Sequence, residues 1–154
     1  MTEQYAIKMQ SISKSFGSVC ANKGVDLTLK QGEILALLGE NGSGKTTLMN
    51  MLSGIYKPDS GTISVNGKPV TIDSPEDAKR LGIGMVHQHF KLVDVFSAAD
   101  NIWMGQAHAG LTLKKERNAQ IEEMARKFGF EIDPNKKVYN MSVSEKQTLE
   151  IIKV

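Results

Sequence analysis

Eight consecutive residues, Gly39-Glu40-Asn41-Gly42-Ser43-Gly44-Lys45-Thr46, have the composition and spacing of a phosphate-binding loop: glycine, four residues, then Gly-Lys-Thr. Glycines let the backbone curl so that successive N–H groups face one anion. Lys45 would reach the β- and γ-phosphates of a nucleotide, the Thr46 hydroxyl would ligate Mg2+, and Thr47 would add a contact to the α-phosphate. A helix starting near Lys45 would aim its positive end at the same point. An ordinary glycine-rich turn can match the pattern, so the flanking elements decide.

Those elements suit the loop. Residues 34–38, Ile-Leu-Ala-Leu-Leu, read as a strand buried on both faces, of the kind found in parallel sheets covered by helices. After the loop, residues 45–53 place Leu48, Met51 and Leu52 on one helical face, and Gly54 is a stop signal. Upstream, residues 5–12 and 25–29 alternate apolar and polar as half-buried strands do. Downstream, Asn66-Gly67 between two β-prone runs, 62–65 and 69–72, is a hairpin signal. Ser74-Pro75-Glu76-Asp77 marks a helix start, and residues 83–86 read as a further strand. Beyond Gln88 the pattern becomes helical. Residues 113–128 carry Ile121, Met124, Ala125 and Phe128 on one face, with Glu122 facing Arg126 and Glu123 facing Lys127 on the other. Residues 144–154 also read as a helix. The expected organisation is a β-rich phosphate-loop core, 1–87, followed by a helical subdomain, 88–154.

Composition narrows the function classes. Hydrophobic residues at 40% and charged residues at 23% are ordinary for a globular protein, and a formal charge of +2 gives no argument for nucleic acid or an anionic membrane as partner. The basic clusters Lys114, Lys115 and Arg117, and Lys136-Lys137, read as solvated faces. Cys20 alone excludes an internal disulfide. The first residues lack a signal-peptide pattern, and no apolar run approaches the 18 or so residues of a membrane span. His87 and His89 flank Gln88 without a third ligand to suggest zinc, and His108 lies in a polar stretch. Trp103 reads as a packing residue of the helical part, or as one facing a partner subunit.

The stretch LLGENGSGKTTLMNMLSGIYKPDSGTISVNGK, residues 37–68, closely resembles the opening of ABC ATPases, and Gly84-Met85-Val86-His87-Gln88 resembles the strand leading into their Q-loop. The resemblance runs over essentially the entire chain. It implies an α/β P-loop NTPase fold of the ABC ATPase type, with N-terminal antiparallel strands and a helical subdomain. It further implies ATP and Mg2+ as cofactors. Gln88 would contact Mg2+ and the attacking water and relay nucleotide state to the helical subdomain. Phe16, in Ser13-Lys14-Ser15-Phe16-Gly17, matches the aromatic position that stacks on adenine.

A weaker match follows. Asn140-Met141-Ser142-Val143-Ser144-Glu145-Lys146-Gln147 lies where the family's Leu-Ser-Gly-Gly-Gln signature belongs. Ser142 matches the signature serine, which caps the γ-phosphate held by an opposite domain. Met141 replaces the leucine, Val143 and Ser144 replace both glycines, and Glu145 replaces the glutamine, which restricts backbone approach and adds a negative charge. The residues alone also read as a capped helix start, Ser142 with Glu145 three positions on. The degenerate signature and His87-Gln88-His89-Phe90 resemble the first domain of tandem import ATPases for simple sugars and nucleosides.

From the resemblance follow integral-membrane permease subunits, a second ABC domain and, indirectly, an extracytoplasmic solute-binding protein as partners, with a place on the cytoplasmic face of the membrane. No apolar strand ending in Asp-Glu and no switch histidine is found before Val154. A truncated domain, incomplete at its C-terminus, is therefore expected, with weak or absent hydrolysis by the chain alone. Two alternatives stay open: a nucleotide-binding fragment without transport or hydrolysis, and a soluble non-transport ABC ATPase. A GTPase is disfavoured, since Asn22-Lys23-Gly24-Val25 lacks the aspartate of a guanine-reading motif.

Overall fold

The computed structural model describes residues 5–87, 89–104 and 113–154. They form two compact units, 1–84 and 85–154, and the architecture is of the α/β class.

In the first unit, strands β1 (Tyr5–Phe16), β2 (Val19–Lys30), β3 (Ser60–Val65) and β4 (Lys68–Val70) make an antiparallel sheet of order β2-β1-β3-β4. Strict alternation along β1 would bury Ser11. Instead the register slips between Met9 and Ile12, Ser11 takes φ 52°, and its N–H donates to Asp26 Oδ1 at 2.6 Å. This bulge turns Ser11 outward and delivers Ile12 to the face that buries Ile7 and Met9. Helix α1 (Lys45–Leu52) lays Leu48 and Met51 on that core, together with Ile63, Val65 and Ile72. The hairpin from β3 to β4 turns on Asn66 and Gly67 at φ 50° and 77°, the left-handed pair that such a two-residue turn requires. Helix α2 (Pro75–Arg80) starts on Ser74, whose hydroxyl accepts from the Asp77 amide.

The second unit packs α3 (Ala98–Trp103), α4 (Lys114–Lys127) and α5 (Val143–Lys153) around Ile102, Ile121, Ala125, Val138 and Leu149. A 3-10 turn, Val138–Asn140, leads into α5. Asn101, fully buried, lies inside this core. Its Oδ1 accepts from the Val93 amide at 2.7 Å, and its Nδ2 donates to the carbonyls of Val93 and Ser97 at 3.1 and 3.0 Å. Sequence periodicity gave no sign of α3, which is under two turns long.

Three expectations are corrected. Residues 34–38 are in no strand of the described sheet, and their aliphatic side chains are exposed, Ile34 at 98% and Leu38 at 90%. An apolar run encodes the preference for a buried strand but supplies no neighbour to pair with, and none of the described strands lies beside it. Residues 83–86 likewise carry no strand. Phe128 is 71% exposed, because α4 ends at Lys127 and Phe128 leaves the helical geometry that would have aligned it with Ile121 and Ala125.

Candidate functional site

The Gly39–Thr46 loop joins the exposed segment 34–38 to α1. Gly44 is its pivot: it sits at φ 87°, ψ 3° as the N-cap of α1, in left-handed geometry that other residues avoid. Space forbids substitution as well. A Cβ at Gly44 would collide with the Ala21 carbonyl oxygen of β2 and lie 2.8 Å from Asn22 Nδ2. The loop is therefore pressed against β2 through bare backbone.

Helix α1 begins without any side-chain cap and without an acid in its first turn. Its leading amides thus remain available to an incoming acceptor. Among the described residues, the amides of Asn41, Gly42 and Gly44 donate to no protein acceptor, while Ser43 N–H closes a turn onto the Glu40 carbonyl at 3.2 Å. Lys45 folds back over this hollow. Its Nζ donates to the carbonyls of Gly39 and Glu40 at 2.7 and 2.6 Å and to Ser43 Oγ at 3.2 Å. A cation, a set of unfilled amides and the positive end of a helix converge on one small volume, and that combination suits a polyphosphate. Thr46 is exposed on the first turn of α1, where a hydroxyl can serve a cation held by that phosphate, while Thr47 is half-buried.

Phe16 ends β1, opposite Val19 in the β1–β2 hairpin, and β2 then runs through Cys20 to the Ala21-Asn22 contact with Gly44. The hairpin thereby brings an aromatic ring, 43% exposed, to the neighbourhood of the loop. The ring meets Tyr56 edge-on, with centroids 5.1 Å apart, and Lys14 Nζ stands 5.6 Å from its centroid. Lys14 is fixed by Asp59 at 2.7 Å, and the other Asp59 oxygen accepts from the Ser15 amide. The hydrogen bond from Lys14, followed by that from Ser15, holds the Asp59 carboxyl below its ordinary range.

Sequence reading passed over two residues here. Asn22 is buried, its Nδ2 donates to the Gly44 carbonyl at 3.4 Å, and its Oδ1 has no partner among the described residues. The sequence showed it only as the first residue of the 22–25 run, outside the strand expected at 25–29. Tyr56 gave none beyond its ring.

The remaining sites belong to the second unit. Gln88 and His108 lie outside the described residues. His87 is half-buried and His89 exposed, and among the described residues no group of acids, histidines and cysteines could hold a metal. Trp103 packs within its unit, with the Arg117 guanidinium 5.7 Å from its ring centroid. Ser142 is the N-cap of α5 in a full capping box: its Oγ accepts from the Glu145 amide at 3.3 Å, and its own amide donates to Glu145 Oε2 at 2.8 Å. Glu145 Oε1 takes Lys136 Nζ at 2.6 Å, so Lys136 is a partner rather than part of a purely solvated pair. Lys136, then the Ser142 amide and hydroxyl, pull the Glu145 carboxyl down to about 2. Whatever the α5 N-terminus could offer an anion, Glu145 already occupies the Ser142 amide.

Comparison with known proteins bears on family and fold. A model described as ABC transporter matches residues 22–154. The guanosine import ATP-binding protein NupO of Bacillus subtilis is 45% identical over 152 residues, 97% of this chain and 30% of its own length. The nucleoside import ATP-binding protein NupA of Lactococcus lactis is 46% identical over 155 residues, 99% of this chain and 31% of its own. A ribose import ATP-binding protein of Escherichia coli O157:H7 is 40% identical over 153 residues. The chain thus spans about 30% of the length of these curated relatives. Among solved structures, cbiO1 of Clostridium perfringens, part of the ABC transporter complex cbiONQ, superposes with a TM-score of 0.77 at 28% identity, covering 98% of this chain and 61% of that one. A nucleotide-free ATP-binding cassette from an ABC transporter superposes with a TM-score of 0.80 at 22% identity, covering 97% of this chain and 64% of that one.

Proposed function

The chain belongs to the ABC transporter family, and from that premise we propose that it supplies the ATP-binding loop of an importer's energising subunit, taking up nucleosides or simple sugars. One observation carries the reading: Lys45, the unfilled amides of the loop and the uncapped start of α1 converge on one hollow. ATP with Mg2+ fits that hollow, and when bound would supply the phosphoryl group whose hydrolysis drives transport. Gly39, Asn41, Gly42 and Gly44 offer backbone amides to the phosphates, and Ser43 offers its hydroxyl. Lys45 exchanges its carbonyl partners for phosphate oxygens, and Thr46 holds the cation. Thr47 reaches toward the α-phosphate. Phe16 presents its face to adenine, which needs a π-surface and no particular hydroxyl. Gln88 serves as the second cation contact and as the sensor of nucleotide state. The relatives' import functions support nucleoside or sugar as solute, permease subunits as partners, and a position on the cytoplasmic face of the membrane. No helix of the described residues is long and apolar enough to cross a membrane.

A second reading, nucleotide binding without turnover, is favoured by a different observation: Glu145 fills the Ser142 amide that would have to meet a γ-phosphate.

The test is equilibrium binding of a fluorescent ATP analogue with Mg2+. Lys45→Ala is expected to weaken it roughly 10- to 100-fold, the worth of a lost charge-assisted contact. Equal affinity in the variant, or strong preference for guanine over adenine nucleotides, overturns the proposal. Steady-state hydrolysis measured alongside separates the two readings.

A further inference from the structure

The ring of Phe16 stands at the tip of the β1–β2 hairpin, where a side chain without neighbours would exchange between rotamers. It has two supports, and both come from one short connection, residues 55–59, between α1 and β3. The first is Tyr56, whose ring meets that of Phe16 at an interplanar angle of 71°. The second is Asp59, which grips the end of β1 three times. Its amide donates to the Ser13 carbonyl at 2.9 Å, and its carboxylate takes Lys14 Nζ and the Ser15 amide, each at 2.7 Å. Lys14 is thereby held over one face of Phe16.

The connection is itself fastened. The amides of Ile55 and Tyr56 donate to the Asn50 carbonyl of α1 at 2.9 and 3.1 Å, and Pro58 fixes a further backbone torsion. Helix α1 thus carries the Lys45 loop at one end and the support of the Phe16 ring at the other. Both rings nevertheless keep more than a third of their surface open, Phe16 at 43% and Tyr56 at 37%. A pair assembled only to hide apolar surface would bury more of it. With Lys14 over one face and Tyr56 abutting at a steep angle, the opposite face of Phe16 is a flat, fixed surface with a wall beside it. A planar π-system of base size fits such a corner, whereas phosphate and sugar have no face to stack. A ring held in place before binding also loses less freedom when the base arrives.

We propose that Tyr56 is a positioning residue that holds Phe16 as a preorganised platform for the base of the nucleotide. The inference rests on the reading of the Lys45 loop as the phosphate site and of Phe16 as the stacking ring. Tyr56 acts through its ring and not through its hydroxyl. It strengthens the hold on the base and leaves the hold on the phosphates as it is.

Calorimetric titration of the full chain with MgATP and with magnesium tripolyphosphate, which carries no base, separates the two contributions. The wild type is expected to bind MgATP the more tightly. Tyr56→Leu, which keeps apolar bulk without a ring, should weaken MgATP binding about 3- to 10-fold, the worth of one aromatic pair. Its affinity for tripolyphosphate should stay within about twofold of the wild type. Tyr56→Phe should match the wild type with both ligands. Unchanged MgATP affinity in Tyr56→Leu overturns the proposal, as does equal weakening of both ligands, which would mark Tyr56 as a general prop of the fold. A Tyr56→Phe variant as weak as Tyr56→Leu is equally contrary. Wild-type protein that binds both ligands alike removes the platform and leaves the phosphate loop standing. Wild-type protein that binds neither removes the nucleotide reading, and this inference with it. Should Tyr56→Leu fail to fold, NMR of the aromatic ring carbons in the wild type decides: the Phe16 and Tyr56 signals should move with MgATP and stay with tripolyphosphate. A Tyr56 ring unmoved by bound MgATP overturns the proposal.

Discussion

Helices α1 and α5 begin from opposite local chemistry. The first starts on Gly44, in left-handed geometry, with no side-chain cap and no acid in its first turn. The second starts on Ser142, with serine, amide and Glu145 closed into a reciprocal box and Lys136 seated on the carboxylate. Local stability favours the second arrangement, since a good cap contributes about 1 kcal/mol. The first forgoes that and leaves its amides to something outside the chain. Helices α2 and α3, both started by serines that accept from an aspartate amide, side with α5. Helix α4 also starts without a side-chain cap, on Leu113, but carries Glu116 in its first turn; among the described α-helices α1 alone lacks both cap and acid, and it starts in the loop whose glycines and lysine suit phosphate.

The sharpest way to break the comparison is Gly44→Ala. The substitution meets both a positive φ and the Ala21 carbonyl, so loss of measurable nucleotide binding is expected by equilibrium titration. Trp103, the single tryptophan, lies in the second unit and reports it by fluorescence. Its unfolding transition should stay in place in this variant, and a matching shift would show that the two starts are not independent. Next in size is Asn101→Ala, which leaves the Val93 amide without its acceptor and takes one of two donors from each of the Val93 and Ser97 carbonyls. It should destabilise the Trp103 transition in urea by about 3 kcal/mol and leave nucleotide affinity alone.

The smallest effect concerns Glu145. Its folded carboxyl lies near 2 against an ordinary 4.5. The stabilisation is therefore complete above about pH 4.5 and is lost as the pH falls toward 2. Asp59, Asp77 and Asp100 are also held below their ordinary value, mainly by Lys14, Ser74 and Ser97 respectively, and add to the same acid-side loss. Subtracting the melting curves of Glu145→Gln from those of the wild type between pH 5 and 2 isolates the capping box; a difference that does not shrink toward pH 2 would count against it.

Much of this was legible in the residues. Asn66-Gly67 fixed a hairpin because few other pairs accept two left-handed residues in succession. Ser74 and Ser142 announced helix starts through a hydroxyl and an acid at the right interval. Leu48 and Met51 marked the buried face of α1. These signals are local. What escaped the reading depends on distant partners: the bulge at Ser11, held by Asp26 of the neighbouring strand; Asn101 and Glu150, polar residues whose burial is explained only by the backbone they grip; and Asn22 behind the loop. Residues 34–38 failed for the converse reason. Their pattern expresses a preference that only a paired neighbour could satisfy, and the described sheet places none beside them.

That exposed segment has a consequence for the protein as a material. Ile34 and Leu38 stand almost wholly in water, and Leu35 and Leu37 in part, outside the described sheet. Such an apolar surface favours burial against any similar surface it meets. As concentration rises, the first event expected in a bare solution is self-association through this segment. Light scattering, more than nucleotide, then sets the working range, and the segment that leads into the phosphate loop also governs the colloidal behaviour of the molecule.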